Sequence, residues 1–285
     1  MRYKIGISSC GFELNESNFR KMAENNIGAV EISMSYSKYK DINYHELAEL
    51  SRKYGVELWS YHLPFMPFLE IDLSSTNADV KKSTKEYLTE LIKKGSDIGV
   101  DKFVVHASGE PIEDSERQER IKNAMESLDY LAGIAYQCGA CIAVEDLPRS
   151  CLGNTSDEIK LLLSANDKLR VCFDTNHLLT EDNIHFMENL GDKIITLHIS
   201  DYDFINERHW LPGEGKNDWN KFVSKLKEIN YTGVWMYEIE LECPNTILRD
   251  RRLDFNDFYE NARSIMRGEK PHIFSEPKEN LGFWE

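Results

Sequence analysis

The stretch Arg170-Val-Cys-Phe-Asp174 is a short apolar run that ends in a potential metal ligand, and three other stretches share this pattern. They are Cys141-Ile-Ala-Val-Glu145, Ile194-Ile-Thr-Leu-His198 and Val234-Trp-Met-Tyr-Glu238. Four strands that each end in an oxygen or nitrogen donor are difficult to explain by packing alone. If the strands are parallel neighbours, the four donors converge at one end of a sheet, where they could hold a cation.

Outward from these runs, the chain alternates short β-like runs with amphipathic helical stretches. A glycine stands before several of the following strands, as expected where a helix ends: Gly28, Gly55, Gly99, Gly139 and Gly233. The predicted strands cover residues 3–8, 29–33, 57–62, 102–106, 141–145, 170–174, 194–198 and 234–238. The predicted helices cover residues 18–26, 44–54, 78–98, 116–137, 156–163, 183–190, 219–229 and 255–266.

This alternation predicts an α/β fold with a single (β/α)8 TIM barrel. β–α units imply parallel strands joined by right-handed crossovers, and eight strands are enough to close a barrel. The rival is a doubly wound open sheet, which would carry a glycine-rich phosphate turn after its first strand. The segment Cys10-Gly-Phe-Glu13 offers no such turn. We therefore expect one barrel over residues 1–285, with an irregular tail from about 268 to 285 and the active site at the C-terminal strand ends.

Bulk properties restrict the partners. The net charge is −15, and no run of Lys and Arg is dense, so a nucleic acid is not an expected partner. No stretch of about 18 apolar residues is present, which argues against a membrane span. The chain enters a strand directly after Met1 without a secretory leader, so we expect a cytoplasmic protein. The six cysteines are scattered, and the spacing Cys138-Gly-Ala-Cys141 indicates small buried residues rather than a redox site.

Polar residues stand at the ends of the second to eighth predicted strands. Ionised carboxylates among apolar residues are costly to bury unless a cation or a dense hydrogen-bond network compensates them, and converging carboxylates repel one another. We therefore predict a divalent cation at this end of the barrel. His177 follows Asp174 by three residues, and Arg208 and His209 are donors suited to a carboxylate, phosphate or hydroxyl. The strand-end residues are Glu31, His62, His106, Glu145, Asp174, His198 and Glu238.

These residues resemble the xylose-isomerase-like barrel superfamily, in particular its sugar isomerase and epimerase branch, which shares a fold with endonuclease IV type DNA-repair enzymes. The resemblance extends from Ile5 to about Met266. Its most specific pieces are Val144-Glu145-Asp, Phe173-Asp174-Thr-Asn-His177, Leu197-His198-Ile-Ser-Asp201, Arg208-His209-x-x-Pro-Gly-Glu-Gly215 followed by Trp219, and Tyr231-Thr-Gly233 leading to Glu238.

The resemblance implies the role of each residue. Glu145, Asp174, His198 and Glu238 would hold one divalent ion (Mn, Zn, Mg or Co), and Glu145 and Glu238 would also be the acid/base pair. Substrate contacts are expected from His62, His106, His177, Arg208 and His209. Asp146 departs from the family, which more often has asparagine there, and this weakens the choice of a particular substrate.

The predicted function is a divalent-metal-dependent isomerase or epimerase of a sugar or sugar phosphate. One glutamate would remove the proton next to a carbonyl to give a metal-bound enediolate, and the other would return a proton to the opposite face or to the neighbouring carbon. The expected partner is a small-molecule carbohydrate. The sequence does not decide whether the chain also forms a homo-oligomer.

Three alternatives also stay open. A keto-polyol dehydratase would use the same site, and a non-catalytic barrel would only bind sugar. A multi-zinc phosphodiesterase of the endonuclease IV type would need a second or third ion. His62 and His106 beside Glu145 could hold one of these ions. Another could be held by His177, Glu207 and His209.

Overall fold

The computed structural model describes residues 2–283, and its centre is an eight-stranded parallel sheet. Each strand lies where the sequence predicts it, with ends that differ by two residues at most. A closed barrel suits these parallel strands because it leaves no edge strand with a row of unpaired backbone groups. The strands are β1 (Ile5–Ser8), β2 (Ala29–Ile32), β3 (Glu57–His62), β4 (Lys102–Val105), β5 (Cys141–Glu145), β6 (Arg170–Asp174), β7 (Ile194–His198) and β8 (Trp235–Tyr237).

The sheet closes on itself. Its ladder runs β7-β6-β5-β4-β3-β2-β1-β8, and the two ends meet through a parallel bridge between Ile199 and Tyr237. At this junction the backbone N–H of Ile199 donates to the carbonyl of Met236 over 2.8 Å. The predicted (β/α)8 barrel is therefore confirmed, and the open-sheet rival is excluded.

Helices surround the barrel and connect consecutive strands. Most of them begin after an Asn, Asp or Thr whose side chain accepts a hydrogen bond from the first turn; Asn77, for example, accepts from the backbone of Asp79 over 3.0 Å. The helices are α1 (Glu16–Glu24), α2 (Tyr44–Tyr54), α3 (Ala78–Asp97), α4 (Arg117–Gln137), α5 (Ser156–Leu163), α6 (Asn183–Leu190), α7 (Trp219–Glu228) and α8 (Phe255–Met266). Within residues 2–283 no helix combines the length and apolarity that a membrane crossing requires.

Strand alternation places an apolar layer inside the barrel and a polar layer above it. One interior cluster joins Val104, Ala143 and Cys172, and another joins Ala29, Val234 and Met236. Because side chains repeat every two residues along a strand, the residue two positions further on points into the same interior, nearer the C-terminal end. Those residues are His106, Glu145, Asp174, Glu31 and Glu238. The pleat of the barrel therefore collects the polar side chains over an apolar floor.

The C-terminal tail returns to the barrel face at the C-terminal ends of the strands. A two-residue strand, β10 (Glu276–Pro277), pairs antiparallel with β9 (Ile247–Leu248), which lies in the segment after β8. Further on, the carbonyls of Gly282 and Phe283 accept hydrogen bonds from the loop after β7. The sequence predicts the irregular chain after α8 but neither the short strand nor this docking.

Candidate metal centre and active site

The four predicted cation ligands converge on one point. His198 lies at the centre, with its Nδ1 at 2.7 Å from Glu145 Oε1, 3.3 Å from Glu238 Oε2 and 3.9 Å from Asp174 Oδ2. Glu145, Asp174 and His198 are fully buried, and the Glu238 side chain is only 13% exposed. Four separate strands thus deliver donors to one small volume, as the sequence pattern predicts.

The charges in this cluster are unequally compensated. Burial raises the pKa of Asp174 to about 6 and that of Glu238 to about 7, and the charge of Glu145 adds to both shifts while neighbouring imidazoles oppose them. Burial also opposes ionisation of Glu145, but His198 and two further imidazoles hold its pKa well below the usual range. The imidazoles of the protein therefore carry too little positive charge to keep all three carboxylates, Glu145, Asp174 and Glu238, ionised together.

This donor set fits a divalent cation. Asp174 Oδ2 is buried and receives no hydrogen bond from any donor within residues 2–283, although its partner oxygen accepts one from the backbone of Asn176 at 2.7 Å. A buried carboxylate oxygen without a donor costs free energy unless a cation faces it. Two glutamates, an aspartate and an imidazole are ligands that Mn²⁺, Co²⁺ and Zn²⁺ accept.

His62 and His106 contact the Glu145 carboxylate at the oxygen that does not face His198. The Nε2 of each lies 3.1 Å from Glu145 Oε2. His62 donates from Nδ1 to the carbonyl of Leu63 at 2.9 Å, so its Nε2 presents a lone pair to the cluster when the ring is neutral. Burial lowers the pKa of both rings, and Glu145 offsets this enough to raise the pKa of His62 to about 9 but not that of His106. Their predicted contact with substrate stays a prediction.

A second donor group lies beside the first. His177, Glu207 and His209 each place one ligand atom within 4.8 Å of the others. His177 Nε2 is 3.5 Å from Glu207 Oε2 and 3.7 Å from Asp174 Oδ2, so the two groups adjoin. Burial opposes ionisation of Glu207, but the charges of His177, His209 and Arg149 lower its pKa. This group could hold another cation or bind substrate hydroxyls.

Arg208 is engaged by the protein. Its Nε donates to Asp203 Oδ2 at 3.0 Å, and its Nη2 donates to the carbonyl of Gly282 at 2.7 Å. The side chain is 1% exposed, although the residue lines the cavity above the cluster. Asp203 therefore compensates the charge of Arg208 within the protein, and the predicted contact of Arg208 with substrate stays a prediction.

Sequence reasoning did not identify the residues that hold the loop after β7. Asn176 Oδ1 accepts hydrogen bonds from the backbone of Arg208 at 2.9 Å and of His209 at 3.3 Å. The buried carboxylate of Asp201 accepts from Tyr202, Gly213, Asn217 and Trp219. Gly215 packs so closely on Asp201 that a side chain there would collide with it. Asp201, the glycines and the tryptophan all stand in the family motif, but the sequence did not show that Asp201 is their common partner.

A cavity of about 630 Å³ opens above both donor groups. Its floor includes His106, Glu145, His177 and Glu238, and Phe65 forms part of its wall with its ring stacked on His106 at 4.0 Å between centroids. An apolar wall beside carboxylates and imidazoles suits a small polar molecule with an apolar face, as a sugar has.

Comparison with known proteins identifies the family. The model of the xylose isomerase-like TIM barrel family matches residues 19–255. An uncharacterised protein of Methanocaldococcus jannaschii is 31% identical over 245 residues, which cover 81% of this chain and 82% of that protein. The D-psicose 3-epimerase of Ruminiclostridium cellulolyticum is 28% identical over 224 residues, covering 73% of this chain and 72% of the enzyme.

The solved structures agree with this result. A D-tagatose 3-epimerase-like protein superimposes with a TM-score of 0.78 at 27% identity, over 93% of this chain and 97% of that one. Similar proteins thus include sugar 3-epimerases, which supports an enzymatic role for the chain.

Proposed function

The chain belongs to the xylose isomerase-like TIM barrel family, and from this premise we propose that it is a divalent-metal-dependent sugar isomerase or epimerase. One observation carries the proposal. Glu145 and Glu238 approach the same nitrogen of His198, at 2.7 Å and 3.3 Å, on the floor of a cavity large enough for a sugar. The similarity to sugar 3-epimerases supports it independently.

Glu145, Asp174, His198 and Glu238 would hold the ion. When bound, the ion would polarise the substrate carbonyl and stabilise the negative charge that develops on its oxygen. His177, Arg208 and His209 border the cavity and would orient the hydroxyl groups of the substrate.

Proton transfer falls to the two glutamates. Glu238 lines the cavity at the end of β8, where its carboxylate can take the proton next to the carbonyl and return it. Glu145 is held ionised by its imidazole neighbours and can act as a base from a different strand. Because the two carboxylates enter from β5 and from the end of β8, they can serve two sides of one carbon. Return of the proton to the opposite face is epimerisation, and return to the neighbouring carbon is isomerisation.

The proposed substrate is a free ketose or ketose phosphate. The cavity wall contains Phe65, Met66 and Phe68, which suit the C–H face of a sugar. The net charge of −15 opposes a nucleic-acid substrate, so the family's phosphodiesterase chemistry has less support. The donor group of His177, Glu207 and His209 would add a second ion without changing the reaction class.

Deuterium exchange tests this proposal. The full chain, loaded with Mn²⁺, Co²⁺ or Zn²⁺, would be incubated in D₂O with a panel of ketoses and ketose phosphates. NMR would follow loss of the C–H signal next to the carbonyl. We expect exchange that a chelator abolishes, and a loss of about 10²–10⁴-fold in Glu145→Gln and Glu238→Gln. The control is Asp257→Asn, which alters a buried carboxylate on α8 outside the cavity.

The decisive outcomes are distinct. Full exchange activity in both glutamine variants would refute the assignment of the acid/base pair. Absence of exchange across the panel, together with bound zinc and cleavage of DNA that contains an abasic site, would favour the phosphodiesterase alternative instead.

A further inference from the structure

Glu31 is a buried carboxylate at the end of β2, outside the four proposed ligands. Its Oε2 lies 3.0 Å from His198 Nε2 and accepts a hydrogen bond from Ser60 Oγ at 2.7 Å. Glu31, Ser60 and His198 are all fully buried. A carboxylate so far from water needs partners that stabilise its charge, and besides Ser60 it contacts the ring at the centre of the proposed metal cluster.

The local strand geometry is arranged around this contact. Along β2 and β3 the pairs are Val30 with Leu58 and then Glu31 with Ser60, so a β-bulge skips Trp59. Without this shift Glu31 would lie opposite Trp59, which has no hydroxyl to offer it. A bulge re-aims side chains at a cost in regular pairing, and here it brings a donor to the Glu31 carboxylate.

The two nitrogens of His198 face different partners. Nδ1 faces Glu145, Glu238 and Asp174, whereas Nε2 faces Glu31. An imidazole binds a cation through the lone pair of one nitrogen, and the hydrogen bond made by the other nitrogen determines which lone pair is available.

We propose that Glu31 is a positioning residue that keeps the proton of His198 on Nε2 and directs the Nδ1 lone pair at the ion. The inference rests on the proposed metal site and deepens it. A carboxylate acceptor also makes the ring a stronger electron donor, so Glu31 increases cation affinity without touching the ion. Ser60 holds the carboxylate in place.

A different role would have different consequences. If Glu31 served only to hold β2 against β7, neutralising it would lower stability but would leave the coordination chemistry of His198 unchanged. Alternatively, an ion bound through Nε2 would require Glu31 itself to become a ligand and would place the proton on Nδ1. The position of the ring proton therefore separates these roles.

The experiment uses the full chain with ¹⁵N-labelled histidine and bound Zn²⁺. Long-range ¹H–¹⁵N correlation spectra report which ring nitrogen carries the proton, and the spectrum of His198→Gln identifies the signals of His198. We expect a protonated Nε2 and a zinc-bound Nδ1. In Glu31→Gln the amide oxygen still accepts the hydrogen bond but the charge is lost, so zinc affinity should fall about 10–100-fold in a chelator competition.

Two further variants complete the test. Asp257→Asn neutralises a buried carboxylate remote from the cluster and should leave zinc affinity unchanged. Ser60→Ala removes only the hydrogen bond that holds Glu31, should give an intermediate loss, and decides the question together with the wild-type spectrum if Glu31→Gln fails to fold.

A protonated Nδ1 with zinc on Nε2, or unchanged affinity in both the Glu31 and Ser60 variants, would overturn this role of Glu31 and leave the proposed function standing. Failure of the wild-type chain to bind zinc, manganese or cobalt would overturn the metal site itself.

Discussion

Replacing Asp201 with asparagine should destabilise the loop after β7, which carries Glu207 and His209 of the second donor group. The carboxylate accepts four hydrogen bonds: Oδ1 from the backbone of Tyr202 at 2.9 Å and of Asn217 at 3.1 Å, and Oδ2 from the backbone of Gly213 at 2.8 Å and from Trp219 Nε1 at 2.9 Å. An asparagine side chain offers one acceptor oxygen. Its NH₂ group would face two donors, which then remain buried without an acceptor.

The size of the effect follows from these contacts. Each buried donor left without an acceptor costs about 1–3 kcal/mol, so two such donors cost about 2–6 kcal/mol. Burial raises the pKa of Asp201 even though the four donors oppose this, which shows that the charged form already carries a desolvation cost. Asparagine removes that cost, so we expect a loss in the lower part of the range, about 2–4 kcal/mol of the free energy of unfolding.

Urea denaturation of wild type and variant, followed by circular dichroism, measures this loss directly. Trp219→Phe is the matched variant, because it keeps an aromatic ring at the same place and removes only one of the four donors. We expect it to cost less than Asp201→Asn. A loss below about 1 kcal/mol in Asp201→Asn would show that the four hydrogen bonds do not organise the loop, and the reasoning would be wrong.

Further predictions concern the site itself. Because the pKa of Glu238 is raised to about 7 and that of Asp174 to about 6, and an ion displaces their protons, zinc affinity should rise between about pH 5 and about pH 8. Proton release in calorimetry with buffers of different ionisation enthalpy measures this, and a flat profile would contradict it. Asn176→Ala removes the acceptor for two loop amides, so KM for the sugar should rise more than kcat falls in steady-state assays. Glu207→Gln should lower the number of bound zinc ions to one by elemental analysis, whereas equal stoichiometry in wild type and variant would remove the second ion site. A chain that ends at residue 278 loses the Gly282 carbonyl to which Arg208 donates a hydrogen bond, and its KM for the sugar should also rise in the same assays.

The barrel and the main cluster were predictable because both depend on short-range patterns. An apolar run of four residues followed by a donor, repeated in four places, indicates strands with the same polarity at the same end. Glu145 and His198 therefore meet in the structure as predicted, within 2.7 Å. In a parallel barrel the C-terminal ends of all strands lie on one face, so a pattern repeated locally along the chain produces one site in space.

Helix ends were only partly predictable. Gly55, Gly99 and Gly139 adopt positive φ angles of 65°, 93° and 73°, as expected of glycines that stop a helix. After α1 and α7, however, the left-handed residues are Asn26 and Asn230, at 59° and 55°, and not the glycines that follow them. Asparagine tolerates this conformation, so a glycine two or three residues later conceals the true stop.

The contacts of Arg208 could not be predicted, because they depend on the loop after β7 and on the C-terminal tail, two segments without hydrophobic periodicity. Arg208 belongs to one of the most specific pieces of the family motif, and the sequence alone predicts that it donates to a carboxylate, phosphate or hydroxyl of the substrate. Its guanidinium instead meets Asp203, five residues earlier, and the carbonyl of Gly282 in the tail. Neither the loop nor the tail has a periodicity from which their meeting could be derived.

Glu31 shows the opposite limit, since its position was visible but its meaning was not. In Ala29-Val-Glu-Ile32 the glutamate lies between apolar residues. This pattern is expected of a strand whose glutamate points into the barrel. Its role depends on the bulge that pairs it with Ser60 and on the ring orientation of a residue on the seventh strand. A shift of one residue in register turns every side chain of a strand to the other face. The proposed function therefore depends on register as much as on residue identity. The donors proposed to bind the ion follow from strand polarity, whereas the groups proposed to orient those donors follow from pairing that only the folded barrel defines.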